Sequence, residues 1–175
     1  LFLLQFARAN ALGIYKSRTL ADMRAGLGSL KAILDVEIEL HLRLCARWGL
    51  TEADLARTPE HAATTAYTRF VLDCGAAGDL LDLHVALSPC VVGYGVIARA
   101  LAPAGIDALD RHPYREWIGE YAGEAYQTVV ADARRQFDAL AERTLAPSRF
   151  PELAETFRQA CRLESAFWQM GLDAA

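Results

Sequence analysis

The sequence predicts an all-α fold of one domain over residues 1–175, on three observations. Apolar residues recur with a period near 3.5 or 3.6 in nearly every segment, and alternating runs are scarce. The six prolines and twelve glycines fall mostly between these periodic runs. A chain of 175 residues, 53% hydrophobic and 23% charged, buries one substantial core without the length for two.

In chain order the periodicity predicts helices over residues 1–17, 20–48, 61–75, 79–101, 113–145 and 149–172. Short links separate them: 51–60, 75–78, 102–112 and 146–151. Long helices with short links make antiparallel neighbours in a bundle. The 113–145 stretch carries Gly119 and Gly123 and is expected to bend or break there. The opening run Leu1-Phe2-Leu3-Leu4 reads as the interior of an amphipathic helix with no starting Met, which leads to the expectation that a natural N-terminal segment precedes it.

Composition narrows the function classes. A net charge of −4 with no basic run argues against a nucleic-acid partner, which needs clustered Lys and Arg. No uninterrupted run of 18 apolar residues occurs, so no membrane partner is expected. Cys45, Cys74, Cys90 and Cys161 are too far apart for a C-x-x-C motif and read as free thiols in a reducing, cytoplasmic compartment.

The functional signal lies where polar residues interrupt the apolar stripes. In the 79–101 helix the stripe is Leu83, Leu87, Cys90, Tyr94, Ile97, Leu101, which sets Cys90 and Tyr94 one turn apart on the inner face. In the last helix it is Leu153, Phe157, Ala160, Glu164, Phe167, Gly171, with a glutamate at its centre. In the second it is Leu27, Leu30, Leu34, Glu37, His41, Leu44, Trp48, and Asp35, Glu39 and Arg43 on the opposite face read as a solvated ion-pair ladder. The third helix presents Tyr67, Phe70 or Val71, and Cys74; the fifth presents Tyr114, Trp117 and Tyr121. An ionised carboxylate in an apolar core costs several kcal/mol unless partnered, so polar groups on three stripes point to a wet pocket between helices. His41 and Glu37 fit either a hydrogen-bonded pair or part of such a pocket. Pro89 withholds a donor from the carbonyl of Val85, so the helix kinks or restarts there. A restart with Ser88 as cap would put Cys90 at a helix N-terminus, whose dipole favours a thiolate.

Four segments carry a family resemblance. Leu87-Ser88-Pro89-Cys90-Val91-Val92-Gly93-Tyr94 resembles the L-x-P-C-x-x-x-Y segment of TenA-type thiaminase II proteins, and His112-Pro113 through Trp117-Ile118 to Tyr121 resembles their H-P-x-x-x-W-I-x-x-Y segment. Glu164-Ser165-Ala166-Phe167-Trp168 is similar to their E-x-x-F-W segment, and Thr65-Ala66-Tyr67 to their T-A-Y segment. The four stand in the family's order. The resemblance implies a heme-oxygenase-like all-α fold, a homotetramer, no cofactor and no metal. It implies hydrolysis of 4-amino-5-aminomethyl-2-methylpyrimidine, or of thiamin, to the hydroxymethylpyrimidine. By position, Cys90 is then the nucleophile that adds to the ring and Glu164 the acid/base on the ring nitrogen. Tyr94 and Tyr121 bond around them, Tyr67 lines the ring pocket, and Phe2 and Glu37 join the substrate site. Two departures stand out: the family's pyrimidine-anchoring aspartate would lie upstream of Leu1, and Phe2 stands where many members carry tyrosine.

Two other functions fit the same helices. A heme-oxygenase-like oxidase, cofactorless or di-iron, could use Glu37 and His41 at i, i+4 as ligands, but the last helix offers no histidine after Glu164 to complete a second set. A non-catalytic protein that binds an aminopyrimidine is the other.

Overall fold

The computed structural model describes residues 2–174, and every regular element among them is helical. The helices are α1 (Phe2–Lys16), α2 (Leu20–Ala32), α3 (Ile38–Arg47), α4 (Glu52–Arg57), α5 (Ala62–Ala77), α6 (Leu80–Leu101), α7 (Arg115–Ala122), α8 (Glu124–Thr144) and α9 (Phe150–Asp173). A π-helical turn, Ile33–Glu37, joins α2 to α3 without a break. The fold is the all-α bundle the periodicity predicts. The link 51–60 also carries the short α4, which Thr51 and Asp54 start with a reciprocal capping box.

At the centre lies α6, packed against α5 and α9 on one side and α7 and α8 on the other, with α1 crossing α5 and α6. By length and composition alone its 22 residues are apolar enough to cross a membrane. Its apolarity answers to its place in the bundle, where Leu81, Leu83, Ala86 and Ala98 are almost fully buried. Close approach needs glycine at two points. A Cβ on Gly75 would lie 2.7 Å from Leu83 and 2.9 Å from Leu12, and one on Gly95 would lie 2.8 Å from Val130. These positions let α5 and α8 seat directly on α6.

Polar clamps set the register of the two helices that carry Cys90 and Glu164. Asp79 caps α6 by accepting from the Leu81 and Asp82 amides at 2.8 and 3.2 Å. Arg149, just before α9, donates to Asp79 at 2.8 Å and to Asp82 at 2.9 Å. One guanidinium thus ties the start of α9 to the start of α6. The break expected near Gly119 and Gly123 occurs at Gly123, which ends α7 and begins α8 in an extended conformation; a Cβ there would sit 2.9 Å from the Gly119 carbonyl.

Three expectations are corrected. The π turn inserts an extra residue per turn, so the second stripe is not continuous: Ile33, Leu40 and Leu44 are buried while Leu27, Leu34 and Trp48 are about half exposed. The ion-pair ladder is replaced by other pairings, Asp35 with Lys31 and Arg43 with Glu116. Tyr114 is half exposed, because the helix begins only at Arg115.

Candidate active site

Three helices bring the site together because each places a polar residue on its inner face. On α6, Cys90 and Tyr94 are buried one turn apart, as the stripe predicts. The restart at Pro89 does not occur. The helix runs unbroken through it, and the Ser88 hydroxyl donates to the Val85 carbonyl at 2.8 Å rather than capping a new helix. Cys90 therefore gains no help from a helix N-terminus. Burial, with Glu164 and Glu37 adding negative charge, pushes its thiol well above the usual range. Cys90 therefore rests as a neutral thiol.

On α9, Glu164 is buried at 8% exposure between α5 and α6. Burial raises its proton affinity. The Trp168 indole N–H, one turn on, donates to Oε1 at 3.0 Å. The hydroxyls of Tyr67 and Tyr94 lie close enough to favour its ionised form. Even so, Oε2 of Glu164 and Oη of Tyr67 are both buried with no hydrogen-bond partner of normal geometry. Two unpartnered polar atoms side by side cost about 1–3 kcal/mol each in a finished core, and native proteins keep few of them outside functional sites. Because Oε1 already accepts from Trp168, the proton of the neutral acid belongs on Oε2.

The third wall is the π turn and α7. Tyr121 donates to Glu37 Oε1 at 2.7 Å, and His41 Nε2 lies 3.3 Å from the same phenol oxygen. Burial raises Glu37 and lowers His41, so both lean to their neutral forms. The Glu37–His41 pair thus meets through the Tyr121 hydroxyl. Among the described residues no three His, Cys, Asp or Glu side chains converge as ligands.

Aromatic rings close the space between these walls. Tyr94 packs at 5.3 Å on Tyr121, 5.9 Å on Trp117 and 5.5 Å on Trp168. Phe2 lies 5.7 Å from Tyr67 and 4.8 Å from Phe167. Each such pair contributes about 0.5–1.5 kcal/mol beyond area burial. A cavity of about 950 Å³ opens beside them, between the α2 side and α8; Glu37, Tyr121 and Phe6 stand in its wall, whereas Cys90 and Glu164 do not.

All the predicted site residues therefore gather in one region: Cys90, Glu164, Tyr67 and Tyr94 around one centre, Glu37 and Tyr121 beside it, Phe2 against Tyr67. One expected role changes, since Tyr121 serves Glu37 and not the Cys90–Glu164 pair. Sequence reading missed Trp168 as the partner of Glu164, although the i, i+4 spacing was visible. It also missed Tyr126, whose hydroxyl donates to the Val91 carbonyl at 3.0 Å and whose ring meets Tyr121 edge-on at 4.7 Å.

Comparison with known proteins places this arrangement. The model of the TENA/THI-4/PQQC family matches residues 1–174. An uncharacterized protein of Haemophilus influenzae is 41% identical over the whole chain, which spans 80% of that protein. An aminopyrimidine aminohydrolase of Halalkalibacterium halodurans is 34% identical over 99% of the chain and 76% of its own length. Among solved structures, a TenA family transcription regulator from Silicibacter sp. TM1040 superposes with a TM-score of 0.90 at 41% identity, covering 98% of this chain and 76% of that one.

Proposed function

The chain belongs to the TENA/THI-4/PQQC family, and on that premise we propose that it is a hydrolase of thiamin metabolism that replaces the 5-aminomethyl substituent of an aminopyrimidine, or the thiazolium of thiamin, by hydroxyl. The observation that carries this reading is the pairing of a buried neutral thiol with a buried acid whose proton affinity is raised by desolvation and one of whose oxygens has no partner. A relative at 34% identity named aminopyrimidine aminohydrolase supports the substrate class.

The reaction needs both groups. A thiol adds poorly to an aromatic ring unless the ring takes up a proton as the bond forms. In the proposed step, Glu164 Oε2–H gives its proton to a ring nitrogen while the Cys90 sulfur bonds to ring carbon. The thiol proton passes to solvent, so Glu164 ends the step as a carboxylate. The electron-rich adduct then expels the amine from the exocyclic carbon. Water adds to that carbon, Glu164 accepting its proton, and return of the ring proton releases the sulfur as thiol. Burial raises the proton affinity of Glu164 and so favours the protonated acid that this step needs. The rings of Phe2, Tyr67, Tyr94 and Phe167 give the pyrimidine flat apolar faces.

The test is direct. Purified protein is incubated in H₂¹⁸O with the aminomethylpyrimidine and, separately, with thiamin, and products are followed by mass spectrometry. The reading expects hydroxymethylpyrimidine carrying one ¹⁸O. No product from either compound would overturn it.

A further inference from the structure

Two acids, the buried Glu164 and the half-buried Glu37, bring negative charge toward Cys90, and the proposed chemistry uses only Glu164. Glu37 is carried inward by a π turn, a rare and costly insertion that recurs at functional sites. Of its two oxygens, Oε1 is held by Tyr121, and no hydrogen bond among the described residues engages the other. Glu37 stands in the wall of the cavity, whereas Glu164 does not. The groups around it are Cys90 and Tyr94 from α6, Glu120 and Tyr121 from α7, Tyr126 from α8 and His41 from α3. None of these is a fixed cation, and Glu120 is a second acid.

We propose that Glu37 is the counter-ion for the substrate's cationic substituent, the carboxyl that faces the positive charge carried at the 5-methylene of the pyrimidine until that group departs as a neutral amine or thiazole. The inference rests on the aminopyrimidine reading above and adds the residue that recognises the charge. Both candidate substrates are cations at that position, one an ammonium and the other a thiazolium, while the hydroxymethyl product is neutral. Desolvation shifts such an acid toward its protonated form, and a cation placed against it shifts it back toward the ionised form.

The hydrogen-bond chain supplies the route for that proton. With Glu37 protonated, its hydroxyl donates to Tyr121 Oη, and Tyr121 donates to a bare His41 Nε2. With Glu37 ionised, every bond reverses: His41 Nε2–H donates to Tyr121, and Tyr121 to the carboxylate. Passing from the first state to the second moves one proton from Glu37 through Tyr121 to His41, which yields a proton to solvent from its other ring nitrogen. Arrival of a cation thus expels a proton, and conversion to neutral product draws one back. The site then holds the charged substrate more tightly than the product it must release.

The test is calorimetry on the Cys90→Ser protein, which binds without turnover, in buffers of different ionisation enthalpy near pH 6.5. The aminomethylpyrimidine is expected to release a substantial fraction of one proton on binding, and the hydroxymethylpyrimidine none. Adding Glu37→Gln should abolish the release and weaken the aminomethyl ligand by about tenfold or more, the effect of losing one charge-assisted bond, with the hydroxymethyl ligand little changed. Tyr121→Phe keeps the acid but removes its donor, so it should keep the preference and move proton release to higher pH; it also serves if Glu37→Gln fails to fold. Equal preference and equal proton release with and without Glu37, or a Tyr121→Phe protein with unshifted release, would overturn the inference. Glu37-dependent preference in a wild-type protein that turns over neither compound would sink the hydrolase reading alone; turnover without Glu37 dependence would sink the counter-ion alone; absence of binding by either pyrimidine would sink both.

Discussion

Glu164, buried, and Glu37, half-buried, are both raised by desolvation and both act on the Cys90 thiol, yet their surroundings are built differently. Glu37 is tied to Tyr121 at 2.7 Å, and Tyr121 is tied in turn to His41. Glu164 holds only an indole N–H on one oxygen, while its other oxygen and the Tyr67 hydroxyl beside it have no partner. The wall formed by α5 and α9 is therefore finished only by something that supplies hydrogen bonds, whereas the wall formed by the π turn and α7 is already tied through Glu37 Oε1 and keeps only the other Glu37 oxygen for what enters the cavity. A group with an unspent bond does chemistry on what arrives; a group tied through a hydroxyl holds position and charge.

The largest effect expected from this contrast lies at the residue both walls share. Cys90→Ser should reduce hydrolysis to background while melting within a degree or two of wild type, because the volume changes little. Retention of more than about a tenth of the rate, a barrier change below ~1.4 kcal/mol, would sink the covalent step.

Next comes Glu164→Gln, which keeps shape but delivers no proton. Turnover should fall by about 10²–10⁴, the usual range for a lost general acid, with substrate affinity nearly kept. A loss of binding with turnover of bound substrate intact would make Glu164 an anchor and move the acid elsewhere. The same variant has a stability signature. A carboxyl whose folded pKa lies above its ordinary 4.5 contributes stability that is full below 4.5 and lost as pH rises through the folded value. Urea titrations from pH 4 to 8 should therefore show wild type losing ground to Glu164→Gln as pH rises. Parallel curves would mean the carboxyl titrates normally.

A smaller effect has opposite signs on the two walls. Tyr67→Phe removes a hydroxyl with no partner, so the ligand-free fold should gain up to about 1–2 kcal/mol while turnover slows several-fold. Tyr121→Phe removes a hydroxyl that serves Glu37 and should cost about 1 kcal/mol. Chemical denaturation of both variants decides the matter: the same sign for both would erase the distinction between the walls.

How far the sequence anticipates this site depends on what each residue obeys. Cys90, Tyr94 and Glu164 sit on regular helices, where a 3.6-residue period places a side chain without further knowledge, and all three are buried as that period requires. The second helix resists the same treatment because the π turn at Ile33–Glu37 breaks the period, and no local signal in Ile33-Leu34-Asp35-Val36-Glu37 announces it. Glu37 still points inward, but Leu34 and Leu27 do not. Pro89 misleads in the other direction: a local rule predicts a restart, and packing of α6 on five neighbouring helices holds it straight enough to continue. Tertiary partners such as Tyr121 with Glu37, 84 positions apart, follow only from the assembled bundle.

The smallest predicted effect is the finest probe of the unfinished wall. Trp168 donates to Glu164 Oε1 at 3.0 Å, and its ring packs at 5.5 Å on Tyr94 and 5.7 Å on Trp117. Trp168→Phe keeps an aromatic ring in that stack and removes only the N–H. A donor to a carboxylate favours the ionised form, so its loss should raise Glu164's proton affinity further. Since the proposed reaction starts from the neutral acid, the alkaline limb of kcat/KM should move to higher pH, with the plateau rate within about tenfold of wild type. The carboxyl stretch of Glu164, isolated by infrared difference against Glu164→Gln, should titrate at correspondingly higher pH. The Glu37 band, isolated against Glu37→Gln, should stay where it is, because Tyr121 and not Trp168 holds that acid. A limb that moves to lower pH would show that Trp168 does not serve the carboxylate. Movement of both bands together would show that the two acids titrate as one coupled pair, and that the tied and unfinished walls are a single electrostatic unit around Cys90.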